Sequence, residues 1–252
     1  MHVDYSRICA RYDANADRHL IAVDAELPRL LQRDGRGRAL RVLDLACGTG
    51  NWLEVQAGAL ASQPIEWHGL DASPDMLRVA RGKVPAARLV TGRAENLPYH
   101  DGEFDFVAVN FAFHHFGDKD RALDEIVRVL AADGSLRMNN FAAERGNQWW
   151  LYRYFPAAIA ADRARFWPVD RIVGGLAARH VPSEVAFTLD DRPVRLRARF
   201  EEAERRDISE LHLITEAEYR AGLAAMTREL QADPDAEIAT GIPLYSLLGH
   251  KR

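Results

Sequence analysis

The chain has 252 residues, 48% apolar and 28% charged, with a formal net charge of −4. These are ordinary globular values, and they exclude collagen-like, coiled-coil and extended disordered classes as well as general nucleic-acid or anionic-membrane binders. No apolar run nears the roughly 20 residues that a membrane span needs. The two cysteines, Cys9 and Cys47, cannot build a disulfide framework. The charged stretch 1–20 does not read as a secretory signal, so the expected compartment is the cytoplasm.

In chain order, apolar residues recur among charges from Ala10 to Leu31, which predicts leading helices over residues 1–36. Asp34–Arg38 is a breaker segment. Strands and helices then alternate. Strands are predicted over Arg41–Ala46, Trp67–Leu70, Arg88–Thr91, Phe104–Asn110 and Ser135–Asn139, with helices over Asn51–Leu60, Pro74–Lys83 and Asp120–Leu130. Such alternation over about 100 residues means a parallel sheet with right-handed crossovers. Beyond Asn140 the texture changes to an aromatic cluster between Asn147 and Trp167. Pro193–Phe200 alternates apolar and arginine residues and reads as a half-buried strand with Arg195, Arg197 and Arg199 on its solvated face. Thr215–Gln231 reads as a helix and Pro243–Leu248 as a final strand. No linker divides the chain. A single domain is expected, with leading helices over 1–36, a core over 37–140, and a substrate cap with the final strands over 141–252.

The sharpest feature is the run Val42-Leu-Asp-Leu-Ala-Cys-Gly-Thr-Gly-Asn51, a strand entering a glycine turn and then a helix. At the carboxyl end of the first strand of a doubly wound sheet, this is where nucleoside ligands bind. Asp71, 21 residues after Gly50, ends the second strand and can accept both hydroxyls of an unphosphorylated ribose. A dinucleotide fingerprint needs a third glycine where Leu53 stands. The phosphate loop of nucleotide hydrolases needs Gly-Lys-Ser/Thr, but Gly50 is followed by Asn51-Trp52. Asp44 repels a pyrophosphate and suits an ammonium group. The ligand expected is a nucleoside that carries an amino acid and a positive centre.

Four segments stand in order: Asp44-Leu-Ala-Cys-Gly-Thr-Gly50, Gly69-Leu-Asp-Ala-Ser-Pro-Asp-Met76, Gly92-Arg-Ala-Glu-Asn-Leu-Pro98 and Phe104-Asp-Phe-Val-Ala-Val-Asn110. Together they resemble the signature motifs of class I S-adenosylmethionine-dependent methyltransferases, especially the small-molecule branch with the ubiquinone/menaquinone C-methyltransferases. Ala10-Arg-Tyr-Asp-Ala14 is similar to that branch's leading helix. The resemblance covers residues 8–140. It implies a Rossmann-like α/β fold: a seven-stranded, mostly parallel sheet with helices on both faces, N-terminal helices and a C-terminal helical cap. It also implies S-adenosyl-L-methionine as cofactor. Asp44, Ala46, Gly48 and Gly50 would then line its methionine end, Asp71 would hold the ribose, and Ala72 and Met76 would lie against the adenine. Ala94 and Glu95 would sit at the adenine's polar edge, Asn110 and Phe111 would approach the methionine portion, and Tyr12 would close over the cofactor. The chain departs from the family at Arg93, where an acid usually accepts from the adenine amino group. Arg93 cannot accept, which leaves Glu95 or backbone to do so, or a shifted adenine pocket.

Methyl transfer from a sulfonium is governed by alignment, but an acceptor hydroxyl, amine or carbon acid must still lose a proton. His114 and His115 follow the fourth strand directly and are the candidate bases, set against packing or capping roles. His180 and His212 are weaker candidates. No carboxylate or cysteine stands at ligand spacing from the histidine pair, so no metal is expected. Trp149, Trp150, Tyr152, Tyr154 and Trp167 are candidate walls for a small or medium-sized acceptor with a hydrophobic or aromatic part, set against plain packing. Cys47 reads as a small loop filler. The alternatives are methylation of a carrier-bound carboxyl, a protein or RNA, and a catalytically silent partner subunit that keeps the fold.

Overall fold

A computed structural model describes residues 21–33 and 38–252. Tyr12, Cys9 and most of the expected leading helices lie outside the described residues. What is described of them is α1, Glu26–Arg33, which buries Leu27 and Leu30. Asp24 precedes it, accepting from the Glu26 N–H and pairing with Arg137.

The remaining strands and helices of the first half follow the expected alternation: β1 (Leu40–Leu45), α2 (Asn51–Ala59), β2 (Ile65–Asp71), α3 (Pro74–Lys83), β3 (Arg88–Thr91), β4 (Phe104–Asn110), α4 (Lys119–Val129) and β5 (Leu130–Phe141). The local reasons are visible. Ser73 caps α3 by accepting from the Met76 N–H, and Pro74 opens the helix with the φ it needs. Asp118 caps α4 by accepting from the Arg121 N–H at 2.9 Å, and α4 buries Ala122, Leu123, Ile126 and Val129. The one charge within β4, Asp105, is buried but takes both guanidinium nitrogens of Arg38 and the Arg41 N–H. A fully paired carboxylate is how a strand tolerates a charge in its interior.

After β5 come α5 (Trp150–Tyr154), α6 (Ala158–Arg165), α7 (Val169–Ala177), β6 (Ser183–Asp190), β7 (Pro193–Arg195), α8 (Leu196–Glu204), α9 (Glu216–Ala232), β8 (Glu237–Ala239) and β9 (Ile242–His250). The fold is the Rossmann-like α/β class read from the sequence: a seven-stranded, mostly parallel sheet with helices on both faces. Its strand order is β3-β2-β1-β4-β5-β9-β6. β1 pairs in parallel with both β2 and β4, and β4 in parallel with β5. The chain builds β1, β2 and β3 outward in one direction and then returns to place β4 on the other side of β1. The crevice beside β1 and β4 is therefore the topological switch point, where such sheets bind ligands.

The described residues fall into two compact units. The core unit takes in everything up to Asn140 together with Asp170–Val185 and Ser246–Arg252. The second unit is Phe141–Val169 with Ala186–Tyr245. It has its own apolar core, in which Trp149, Trp150, Tyr152, Tyr154, Phe155 and Phe166 are buried with Leu196, Leu211 and Met226. Its longest helix, α9, starts in a capping box in which Thr215 and Glu218 satisfy each other's backbone N–H.

β6 has no counterpart in the sequence reading, and one predicted element takes another form. The strand predicted over Pro193–Phe200 ends after Arg195, and Leu196 opens α8. The alternation was too short to separate a period of 2 from one of 3.6, and Leu, Arg, Ala and Glu are all good helix formers. The change of period moves Arg199 from the expected solvated face to a buried one. There its guanidinium pairs with Glu202 at 2.8 Å and lies over the Trp150 ring.

Candidate functional site

The site is built at the carboxyl edge of β1, β2, β4 and β5, within the core unit. Leaving β1, Ala46 takes a left-handed φ of 60°, followed by Gly48 at 55° and Gly50 at 80°. At Gly50 only glycine fits without strain, because a Cβ would also lie 3.1 Å from that of Ala80. At Gly48 a Cβ would meet nothing within 4 Å, so the backbone faces open space that a ligand can enter. Asp71 holds this turn: its Oδ2 accepts from the Gly48 N–H and its Oδ1 from the Ser73 N–H, both at 2.8 Å. Burial raises the Asp71 pKa, and these backbone donors pull it back. Asp71 thus keeps free lone pairs while fixing the loop, a double role its place at the end of β2 allows.

Asp44 is the anomaly of the sheet. It is 1% exposed, and neither carboxylate oxygen has a hydrogen-bond partner among the described residues. Burial first, and then the Asp71 charge, push its pKa up to about 8, against a smaller opposing effect of the Asn110 side chain. Leaving a buried acid unmatched costs free energy that a fold does not spend on packing. The Asn110 Nδ2 is likewise buried without a partner. The same burial and the two carboxylates raise the Cys47 thiol well above its usual range, so Cys47 is an inert filler.

Asn110 closes β4 beside Asn139 of β5, whose amide donates to Asn110 Oδ1 at 2.8 Å. Phe111 follows at φ 51°, with its ring 52% exposed. A strained backbone and a large exposed ring at one strand end are the kind of cost kept at functional positions. Phe113–His115 form a single turn of 3₁₀ helix. The two histidine rings lie 3.8 Å apart, and His114 Nδ1 lies 3.3 Å from the Asn140 Nδ2.

The adenine-edge expectation meets a more committed geometry. Met76 and Ala94 are buried and Ala72 is exposed. Glu95 Oε1 accepts from the Gly117 N–H at 2.7 Å, and Arg93 lies 3.5 Å from Oε2. Burial raises the Glu95 pKa, but those backbone donors and Arg93 outweigh it and leave it below the usual range. His180 and His212 are exposed, and His212 Nε2 engages the Arg206 carbonyl. Among the described residues no three His, Cys, Asp or Glu side chains gather as a metal site. No described helix is long and apolar enough to cross a membrane.

The aromatic candidates belong to the second unit. Trp149, Trp150, Tyr152 and Tyr154 are buried there and Trp167 is half-buried. Tyr152 donates to Asp162, which is fully buried and shares Arg165 with Glu210. Burial first, then Glu210, raises the Asp162 pKa to about 7. The sequence reading missed Asp162, Asn139 and Asn140. The last two had a signal: consecutive amides near the carboxyl end of a strand.

Residues 42–134 match the family model of the methyltransferase domain. Over this segment the chain is similar to a methyltransferase domain. The ubiquinone/menaquinone biosynthesis C-methyltransferase of Campylobacter jejuni is 33% identical over 105 residues, which cover 40% of this chain and 45% of that relative. The chain thus spans less than half the length of this curated relative. Among solved structures, a candidate methyltransferase from an antibiotic biosynthesis pathway of Anabaena variabilis superposes with a TM-score of 0.67 at 22% identity, covering 91% of this chain and 98% of that one. The [4+2]-cyclase SpnF superposes with a TM-score of 0.53 at 20% identity, over 89% and 78%. These structures share the fold alone, and activity has to be argued from the site.

Proposed function

We propose that the chain transfers a methyl group from S-adenosyl-L-methionine to a small or medium-sized organic acceptor with a hydrophobic or aromatic part, in the cytoplasm. The observation that carries this reading is Asp44: a buried carboxylate whose oxygens have no hydrogen-bond partner among the described residues, beside a glycine turn that faces open space. An ammonium-bearing nucleoside matches those acceptors, and a pyrophosphate does not. When bound, the cofactor supplies a methyl group made electrophilic by its sulfonium.

The chain's own residues do the rest. Asp44 accepts from the ammonium, with Ala46, Gly48 and Gly50 lining the methionine end. Asp71 offers its remaining lone pairs to the ribose hydroxyls. Ala72, Met76, Ala94 and Glu95 serve the adenine. Asn110 and Phe111 serve the end where methyl and acceptor meet. His114 or His115 takes the acceptor's proton, for which an imidazole near neutral pH is suited. Trp149, Tyr152, Tyr154 and Trp167 supply ring surface for the acceptor, while Trp150 packs under Arg199. A ring-bearing acceptor is supported by the Campylobacter relative, a C-methyltransferase of ubiquinone/menaquinone biosynthesis. The experiment is calorimetry with S-adenosylmethionine, S-adenosylhomocysteine and NAD, followed by transfer of labelled methyl into extracted metabolites. Binding of the first two without NAD is expected, and equal or tighter NAD binding refutes the reading.

A further inference from the structure

Asn139 lies outside the four motif segments, yet the sheet register sets it directly beside Asn110. It makes two bonds to the end of β4. Its Nδ2 donates to Asn110 Oδ1, and its main-chain carbonyl accepts from the Phe111 N–H, both at 2.8 Å. A carboxamide has a donor end and an acceptor end. With Oδ1 engaged by Asn139, the end that Asn110 leaves over is Nδ2, buried and without a partner among the described residues. The Asn110 side chain acts on Asp44 as a donor does, favouring its charged form. Turned over, Asn110 would put a third acceptor oxygen beside the two of Asp44, and nothing there would donate.

We propose that Asn139 is a positioning residue: it holds the Asn110 amide so that the site offers a donor beside the Asp44 acceptor, the pair that a zwitterionic amino-acid head group requires. The ammonium then goes to Asp44 and the carboxylate to Asn110 Nδ2. Through its carbonyl, Asn139 also holds Phe111 in the left-handed conformation that leaves the ring exposed. This inference rests on the cofactor reading above and adds the recognition of the amino-acid end.

The test compares two ligands that share a nucleoside. S-Adenosylhomocysteine carries the amino-acid group, and 5′-methylthioadenosine lacks it. Asn139→Leu keeps the main-chain carbonyl and removes the side-chain donor. By calorimetry it should weaken S-adenosylhomocysteine about tenfold or more, the scale of one hydrogen bond to a charged group, and leave methylthioadenosine within about twofold. Asn139→Asp, which when ionised only accepts, turns the Asn110 amide over and should weaken S-adenosylhomocysteine at least as much, again sparing methylthioadenosine. Equal losses for both ligands in both variants would make Asn139 merely structural and overturn the proposal. So would unchanged affinity for S-adenosylhomocysteine. A wild-type chain that binds neither ligand would overturn the cofactor reading, and this inference with it.

Discussion

Cofactor affinity should depend on pH through Asp44. The carboxylate must be ionised to accept from an ammonium group, yet it titrates at about 8 in the free protein. The cost of ionising it follows from that value: affinity should rise about 50-fold between pH 6 and pH 8, about 2.3 kcal/mol, and the slope should flatten above. Binding at pH 7 should release close to one proton, measurable as a dependence of the calorimetric enthalpy on the buffer's ionisation enthalpy. Asp44→Asn should remove most of this slope and weaken the ligand by about 1.5–3 kcal/mol. Stability moves the other way. An acid whose pKa is raised on folding contributes stability that is complete below its unfolded value of 3.8 and is lost as pH climbs through about 8. Free Asp44→Asn protein should therefore gain in thermal stability over wild type as pH rises from 5 to 8, by up to about 1.4 kcal/mol per unit. Asp71, whose pKa burial also raises, stays in both proteins and largely cancels from the comparison. Affinity that does not change from pH 6 to pH 8, or a slope that survives intact in Asp44→Asn, would refute the assignment of Asp44 to the ammonium.

Asp71→Ala should cost about 1.5–3 kcal/mol of cofactor affinity, since it removes both the ribose acceptor and the bond to Gly48; a loss confined to turnover would place Asp71 elsewhere. Ala variants of His114 and His115, assayed singly at saturating acceptor, should leave cofactor affinity intact, and the variant that removes the base should lose about 10²–10⁴-fold in turnover. Near-wild-type rates in both would leave alignment alone as the mechanism. Among the rings of the second unit, those that meet the acceptor should, as Ala variants, raise its Michaelis constant more than they lower thermal stability. Trp150, 3% exposed under Arg199, should instead lower stability by about 3–5 kcal/mol as Trp150→Ala.

The alternation of β1 to β5 with its helices, the glycine turn and the acid that ends β2 were all legible in the chain itself. Each is a local matter: a strand's apolar run, a turn that needs left-handed residues, and a helix cap such as Ser73 act within a few residues of one another. Sequence spacing alone likewise put Asp44, Asp71 and Asn110 at strand ends. The tertiary structure decided what those ends face. Only the parallel register of β4 and β5 sets Asn139 against Asn110, residues 29 apart in the chain. Burial among neighbours, with the Asp71 charge, moves the titration of Asp44 to about 8 and leaves it without a hydrogen-bond partner among the described residues. Glu95 was read as a ligand acceptor from its motif, and the fold adds a second duty: its Oε1 accepts from the N–H of Gly117, 22 residues on. The stretch from Arg195 to Arg199 fits a strand or a helix equally well by pattern. Packing of Leu196, Arg199 and Ala203 into the second unit's core selects the helix, because only a 3.6-residue period buries those three together.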